Sequence, residues 1–332
     1  MDRSLGPNFT AQVAAASGLE VQVADDCGNA VSDATVVANF SSGDAPVSLS
    51  YLRDGIYTGT WRPGKAGAAV TVTLRSSLGS LPSVEILRQG KVDEGAKTPA
   101  VFPGGVVHAA SFTSNGALAP GSIISVFGAN LASSPAGASS LPLPKTLAGA
   151  SLQVGGLDVP LFYSSGGQIN AQLPYELPPN SRPQLIVKGA DFVTVPETIT
   201  VASARPGIFT TTQDGKGQGV IMDVANRLVG SANPAKAGDV VVVYCTGLGA
   251  TNPAVRSGEA APSSPLAKVV TPVTVTIGGQ PATVQFAGLT PGFVGLYQVN
   301  VQIPSGVAVG SSVPLVISQE GVPSNTVTLA LR

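Results

Sequence analysis

The sequence predicts an all-β protein built from three tandem β-sandwiches, the last two being copies of one repeat. Three observations carry this. Short segments of alternating apolar and polar residues recur along the whole chain, with Gly, Pro, Asn and Asp between them. Glycine (40) and proline (27) make up about a fifth of the 332 residues, yet hydrophobic residues reach 43%, too many for a disordered chain. Four sequence blocks then recur in the same order in the second half, which marks an internal repeat.

Residues 1–17 are small and polar without a clear period, and are expected to be a flexible N-terminal segment. The first sandwich is expected over 18–98. Leu19–Val23 alternates cleanly, Asp25-Asp26-Cys27-Gly28-Asn29 reads as a turn, and Thr35–Phe40 and Val47–Leu52 follow as strands. Arg53-Asp54-Gly55 is a hairpin signal, because Asp-Gly accepts the positive φ of a type I′ turn. Ile56–Trp61 is its partner, and Val70–Arg75 closes the set. The single Trp61 is expected in the core or at one end of it. Ser83–Leu87 reads as one further strand. A linker is expected over 99–105, where Pro99 and Pro103-Gly104-Gly105 mark a boundary.

The repeats are expected over 106–209 and 210–332. Pro120–Leu131 matches Ala237–Leu248, and Leu152-Gln153-Val154-Gly155-Gly156 matches Val275-Thr276-Ile277-Gly278-Gly279. Gln168-Ile169-Asn170-Ala171-Gln172-Leu173-Pro174 matches Gln298-Val299-Asn300-Val301-Gln302-Ile303-Pro304, and Thr198–Ala202 matches Thr326–Ala330. The first block reads as a strand ending in a turn that needs Gly or Asn. The Gly-Gly pair reads as a tight hairpin, as between Val273–Ile277 and Ala282–Phe286. In the third block, period two puts Ile169, Ala171 and Leu173 on one face and three amides on the other. A unit of about 100 residues with this pattern suits an immunoglobulin-like sandwich.

The strand-Gly-x-Asn-Leu block followed by a Gly-Gly hairpin resembles IPT/TIG domains, an immunoglobulin-like class. The whole stretch 106–332 is more closely similar to an uncharacterised C-terminal domain family of large secreted acidobacterial (Solibacter-type) proteins. The residues that carry the likeness include Ala119-Pro120-Gly121-Ser122, Gly166–Pro174, Pro206-Gly207-Ile208-Phe209, Tyr244–Gly249 and Gly292–Asn300. The resemblance implies secretion and a modular extracellular role, and no activity. Residues 1–105 resemble bacterial immunoglobulin-like modules only loosely.

The function classes narrow by exclusion. Charged residues are 11% of the chain and net charge is −1, so neither a nucleic-acid face nor a polybasic membrane patch is expected. No run of about 18 apolar residues exists to span a bilayer. The start, Met1–Pro7, has no apolar h-region of a signal peptide, so an exported form would be processed or part of something longer. The single histidine, His108, has no counterpart in the second repeat and is expected as a surface residue near the linker. No catalytic residues and no resident cofactor are therefore expected. Calcium is the best remaining ion, at Asp25, Asp26 and Asn29, although three oxygens are few for it and an Asx-turn explains the cluster equally. Cys27 and Cys245 are a candidate disulfide between domains, against the alternative of two free buried thiols. The candidate ligand-binding residues are Gln168, Asn170 and Gln172 with Gln298, Asn300 and Gln302, whose amides suit sugar hydroxyls. The competing role for them is bonding across strands and to loops at a domain junction.

The expected function is a non-catalytic structural or adhesive module, secreted or at the cell surface, possible as a subunit of a filamentous assembly. The alternative is a carbohydrate-binding accessory module. The expected partners are other protein modules or copies of the chain, and extracellular polysaccharide.

Overall fold

Alternating strands need a second apolar face to pack against, and the chain supplies it within each module. The computed structural model describes residues 5–13, 17–94, 99–189 and 193–332, all as strands, turns and irregular segments without an α-helix. No helix is long and apolar enough to cross a membrane. The chain divides into two compact units, residues 1–97 and 98–332.

In the first unit, the described strands run in the order Phe9–Gln12, Val84–Asp93, Gly67–Ser77, Thr35–Phe40, Val47–Arg53, Ile56–Trp61, Ser17–Gln22. Val47–Arg53 pairs through Val47–Leu49 with Thr35–Phe40 and through Ser50–Arg53 with Ile56–Trp61. That switch folds one sheet over the other. Between them lie Leu19, Val21, Val36, Ala38, Leu49, Val72 and Leu74. Asp54 and Gly55 have φ of 51° and 75°, the two positive values a type I′ turn requires. Trp61 is buried, stacks on Phe40 at 4.5 Å and donates its Nε1–H to Asp44 Oδ2 at 3.0 Å.

Two expectations need correction here. Within the segment 1–17, expected to be flexible, Phe9–Gln12 is a strand parallel to Val84–Asp93, with Phe9 and Ala11 buried. Gly90 makes room for it: a Cβ there would lie 2.4 Å from the Phe9 ring. Residues 1–4 and 14–16 lie outside the described residues. The expected linker 99–105 is also largely sheet, since Ala100–His108 pairs with Ile123–Ala129. Its Pro103-Gly104-Gly105 forms an irregularity between the Val101 and Val106 pairs instead of a break.

In the second unit, the first repeat packs two sheets. One runs Ala136–Gly137, Leu161–Ser164, Gln168–Gln172, Ile123–Ala129, Ala100–His108. The other runs Thr146–Leu147, Ala150–Val154, Gln184–Lys188, Glu197–Thr198. Ile124, Val126, Leu152, Val154, Ile169, Leu173 and Leu185 fill the space between them at 0% exposure, and each fully buried large aliphatic contributes about 1.5–3 kcal/mol.

The second repeat centres on Val240–Thr246, Tyr297–Gln302 and Gln280–Leu289. Gln280–Leu289 pairs through its start with Val273–Ile277 and through its remainder with Tyr297–Gln302, which again links two sheets. Gly207–Ile208 already pairs with Val240–Thr246, so this repeat's sheet begins before the expected boundary at 209/210.

The repeat signal translates into matching backbone. Gly155 and Gly156 have φ of 57° and 82°, and Gly278 and Gly279 have 57° and 80°. Gln168, Asn170 and Gln172 lie opposite Phe127, Ser125 and Ile123. Gln298, Asn300 and Gln302 lie opposite Tyr244, Val242 and Val240 in the same register.

Candidate functional site

His108 ends the strand Ala100–His108, opposite Ile124. The expectation of a surface residue is overturned: it is 1% exposed, because the second repeat covers it. Its Nδ1 accepts the backbone N–H groups of Ala110 and Ser111, both at 3.3 Å. Nε2 must then carry the proton and donates to the Arg205 carbonyl at 3.1 Å. Burial pushes the imidazole pKa down to about 4, so the ring is neutral. Gly207 is obligatory beside it, since a Cβ there would fall 2.1 Å from His108 Cε1. The histidine is thus a clamp between a turn of the first repeat and the strand that opens the second.

Further bonds fix the two repeats against each other. Thr246 Oγ1 accepts the Ile123 N–H at 3.0 Å and donates to the Gly295 carbonyl at 2.8 Å. Gln172 Oε1 accepts the Gly258 N–H at 2.7 Å. Ser257 Oγ accepts the Tyr175 N–H at 2.9 Å and donates to Glu176 Oε2 at 2.7 Å. The Tyr175 and Tyr297 hydroxyls meet at 3.2 Å, and Tyr297 donates to the Gly249 carbonyl. Burial raises the Tyr175 pKa to about 12, so both phenols stay neutral hydrogen-bonding groups.

Between the docked repeats lies a cleft of about 650 Å³. Its rings come from both: Phe112 from the first, and Phe209, Tyr244 and Phe293 from the second. Ser125, Gln168 and Asn170 supply a polar floor from the centre of the first repeat's sheet. None of the described residues lining the cleft is charged. Phe112 has φ of +52° and Gln213, which also lines the cleft, +56°, costly for such side chains. The His108 carbonyl accepts the Phe112 N–H at 2.8 Å, so the buried histidine bonds its turn from both ring and backbone and holds that ring in place. On the other wall, Asn325 accepts the Ile208 N–H at 2.8 Å and donates to the carbonyls of Ile208 and Gly215 at 3.0 and 2.9 Å.

The six predicted amides meet three fates. Gln168 and Asn170 reach the cleft floor, where Gln168 Nε2 donates to Asn170 Oδ1 at 2.8 Å and Ser125 Oγ donates to the same oxygen at 3.0 Å. Gln172 is fully buried in the junction. Gln298 and Asn300 repeat the amide–amide bond at 3.1 Å but do not line the cleft, and Gln302 donates to the Gly238 carbonyl of its own repeat. Nothing in the sequence marks Phe112, Phe209, Tyr244 or His108 as part of a site, whereas Phe293 flanks the second amide block. Phe209 and Phe293 stand inside the matched motifs, but their convergence is a product of docking.

The remaining candidates fall elsewhere. Asp25 Oδ1 accepts the Cys27 and Asn29 N–H groups at 2.9 and 2.8 Å, and Oδ2 accepts Asn29 Nδ2 at 3.0 Å. Hydrogen bonds from the Asn29 side chain and then its backbone hold the Asp25 carboxyl below the usual range. Both oxygens are engaged in an Asx-type turn, and among the described residues no group of three or more His, Cys, Asp or Glu is placed to hold a metal ion. The candidate disulfide is corrected: both cysteines are free, Cys245 at 0% exposure in the second repeat's core and Cys27 exposed. Burial pushes the Cys245 thiol pKa far up, making it an inert apolar group.

No family model matches the chain, and no curated protein matches it. Among solved structures it is similar to SGBP-B of the Bacteroides ovatus mixed-linkage glucan utilization locus, in complex with a mixed-linkage heptasaccharide. There the identity is 13% and the TM-score 0.32, with 99% of this chain and 67% of that one covered. Invasin, a bacterial integrin-binding protein, matches at 12% identity and TM-score 0.25 over 100% of this chain and 60% of its own. The N-terminal Ig1-2 module of the Drosophila receptor protein tyrosine phosphatase DLAR matches at 12% and 0.21 over 60% and 95%. The chain therefore spans less than two thirds of invasin. The chain's own sheets, closed over three apolar cores, make it an all-β protein of tandem β-sandwiches.

Proposed function

We propose that this chain is a non-catalytic extracellular module for adhesion, whose second unit holds a recognition cleft between two immunoglobulin-like repeats locked at fixed geometry. The observation that carries the reading is the cleft itself: a ring-lined space of about 650 Å³ to which both repeats contribute, in the size range of ligand sites. Its chemistry suits binding and not turnover. The Ser125 hydroxyl is bonded to an amide, the lone histidine is spent on backbone groups, and the described cleft lining pairs no hydroxyl with a base. Secretion, the IPT/TIG-like character of the repeats and assembly at the cell surface complete the proposal; the neutral composition suits a subunit that packs beside copies of itself.

The test is retention of the labelled full-length chain on bacterial envelope and secreted-matrix fractions, compared with Phe293→Ala. Retention that the substitution abolishes, without release of sugar or peptide products, supports the reading. Absence of retention on every fraction, or turnover of bound material, overturns it. For the filamentous form, negative-stain images showing only monomers at high protein concentration remove that part alone.

A further inference from the structure

The cleft's chemistry specifies more than binding. Resting on the adhesion reading, we propose that it is a site for an uncharged glycan, recognised by one amide pair and stacked on aromatic rings.

The floor is the starting point. Asn170 Oδ1 already accepts two hydrogen bonds, from Ser125 and Gln168, which fills its lone pairs and fixes the orientation of both amides. Asn170 Nδ2 and Gln168 Oε1 then remain as a fixed donor and a fixed acceptor. Among the described residues neither atom has a hydrogen-bond partner, and neither is sealed from solvent. A donor and an acceptor side by side match two neighbouring sugar hydroxyls, one accepting and one donating. An aliphatic ligand would cover this pair without replacing its water, leaving both groups unpaired and weakening its own binding.

The walls select in the same direction. Phe112, Phe209, Tyr244 and Phe293 offer faces for the C–H side of a pyranose. The absence of any charged residue among the described lining excludes the pairing that phosphate or uronate groups require. The floor does not favour an extended peptide: Gln168–Gln172 and Ile123–Ala129 are interior strands, each paired on both sides, so the first repeat offers no sheet edge there for strand addition. The second repeat has the same amide bond between Gln298 and Asn300 but sets it outside the cleft, which makes it an internal control.

The experiment is calorimetric titration of the full chain with tetra- to hexasaccharides of neutral gluco-, xylo-, manno- and galacto-series, and with a uronate series. At least one neutral series is expected to bind, and the uronates are not. Asn170→Ala and Phe293→Ala are each expected to weaken binding tenfold or more, while Gln298→Ala leaves it unchanged. Phe293 is 55% exposed, so its replacement leaves the fold intact even where Asn170→Ala loosens it. Silence of all neutral series, or binding indifferent to Phe293→Ala, overturns the glycan proposal. If the chain still adheres to envelope fractions in a Phe293-dependent way while every glycan is silent, this proposal falls and the adhesion reading stands. If adhesion is absent too, both fall.

Discussion

The two repeats of the second unit place the same Gln–Asn bond on the same strand in the same register, at 2.8 Å in one and 3.1 Å in the other. Opposite Asn170 stands Ser125; opposite Asn300 stands Val242. The first pair looks into a ring-lined cleft and the second does not. A repeat therefore supplies the scaffold, and the neighbour that docks on it decides whether a shared motif becomes a site. The turns after the matched strands teach the same lesson. Asn130 and Gly247 are counterparts with φ of 55° and 85°, but only Gly247 has the Arg205 carbonyl pressed against it, 2.0 Å from where a Cβ would be.

Exchanging those two residues gives the largest expected effect. Gly247→Asn carries the first repeat's side chain into a space with no room and is expected to cost about 3 kcal/mol or more. The reverse change, Asn130→Gly, keeps the positive φ and is expected to cost under about 1 kcal/mol. Urea unfolding of both variants measures the asymmetry; equal losses would mean the junction does not press on Gly247.

Acid is expected to act through the first repeat's clamp. His108 falls from an ordinary pKa of 6.5 to about 4 in the folded chain. The unfolded chain therefore binds the proton first. Stability attributable to this group is complete above about pH 6.5 and is lost as pH falls toward 4, to a total of about 3 kcal/mol. Comparing the pH dependence of unfolding in the wild type and His108→Gln isolates it, because carboxylate contributions are common to both. An acid limb unchanged by the substitution would disprove the clamp.

The smallest effect comes from the amides. Asn170→Ala strands the buried Ser125 hydroxyl and is expected to cost about 1–2 kcal/mol, whereas Asn300→Ala removes one half-exposed bond and should cost less than about 1 kcal/mol. Denaturation midpoints of the pair settle the order, and a larger loss at Asn300 would reverse the assignment of which repeat is specialised.

Much of this fold was legible because period-two burial is a local property. Thr35–Phe40 and Ile56–Trp61 occur with the bounds read from alternation, and the face carrying Ile169, Ala171 and Leu173 is buried as the pattern requires. Punctuation misled where one residue type serves two ends. Pro103-Gly104-Gly105 has the composition of a break, yet it sits in an irregularity of a paired strand. Phe9–Gln12 is too short to announce itself and depends on Gly90, some 80 positions on. The site was half legible. Gln168 and Asn170 stood out by repetition, but nothing local distinguishes them from Gln298 and Asn300. His108 lacked a signal because its burial is imposed by Gly207 and Gly247, which read only as turn glycines.

The bonds between the repeats run largely from a side chain to a main-chain group: His108 to Arg205, Gln172 to Gly258, Thr246 to Ile123. Main-chain atoms are the same whatever residue supplies them. One partner of each bond is thus indifferent to sequence drift, so long as no added bulk pushes it away. The groove's side chains can then vary while the main-chain partners that set the angle between the two sandwiches stay the same.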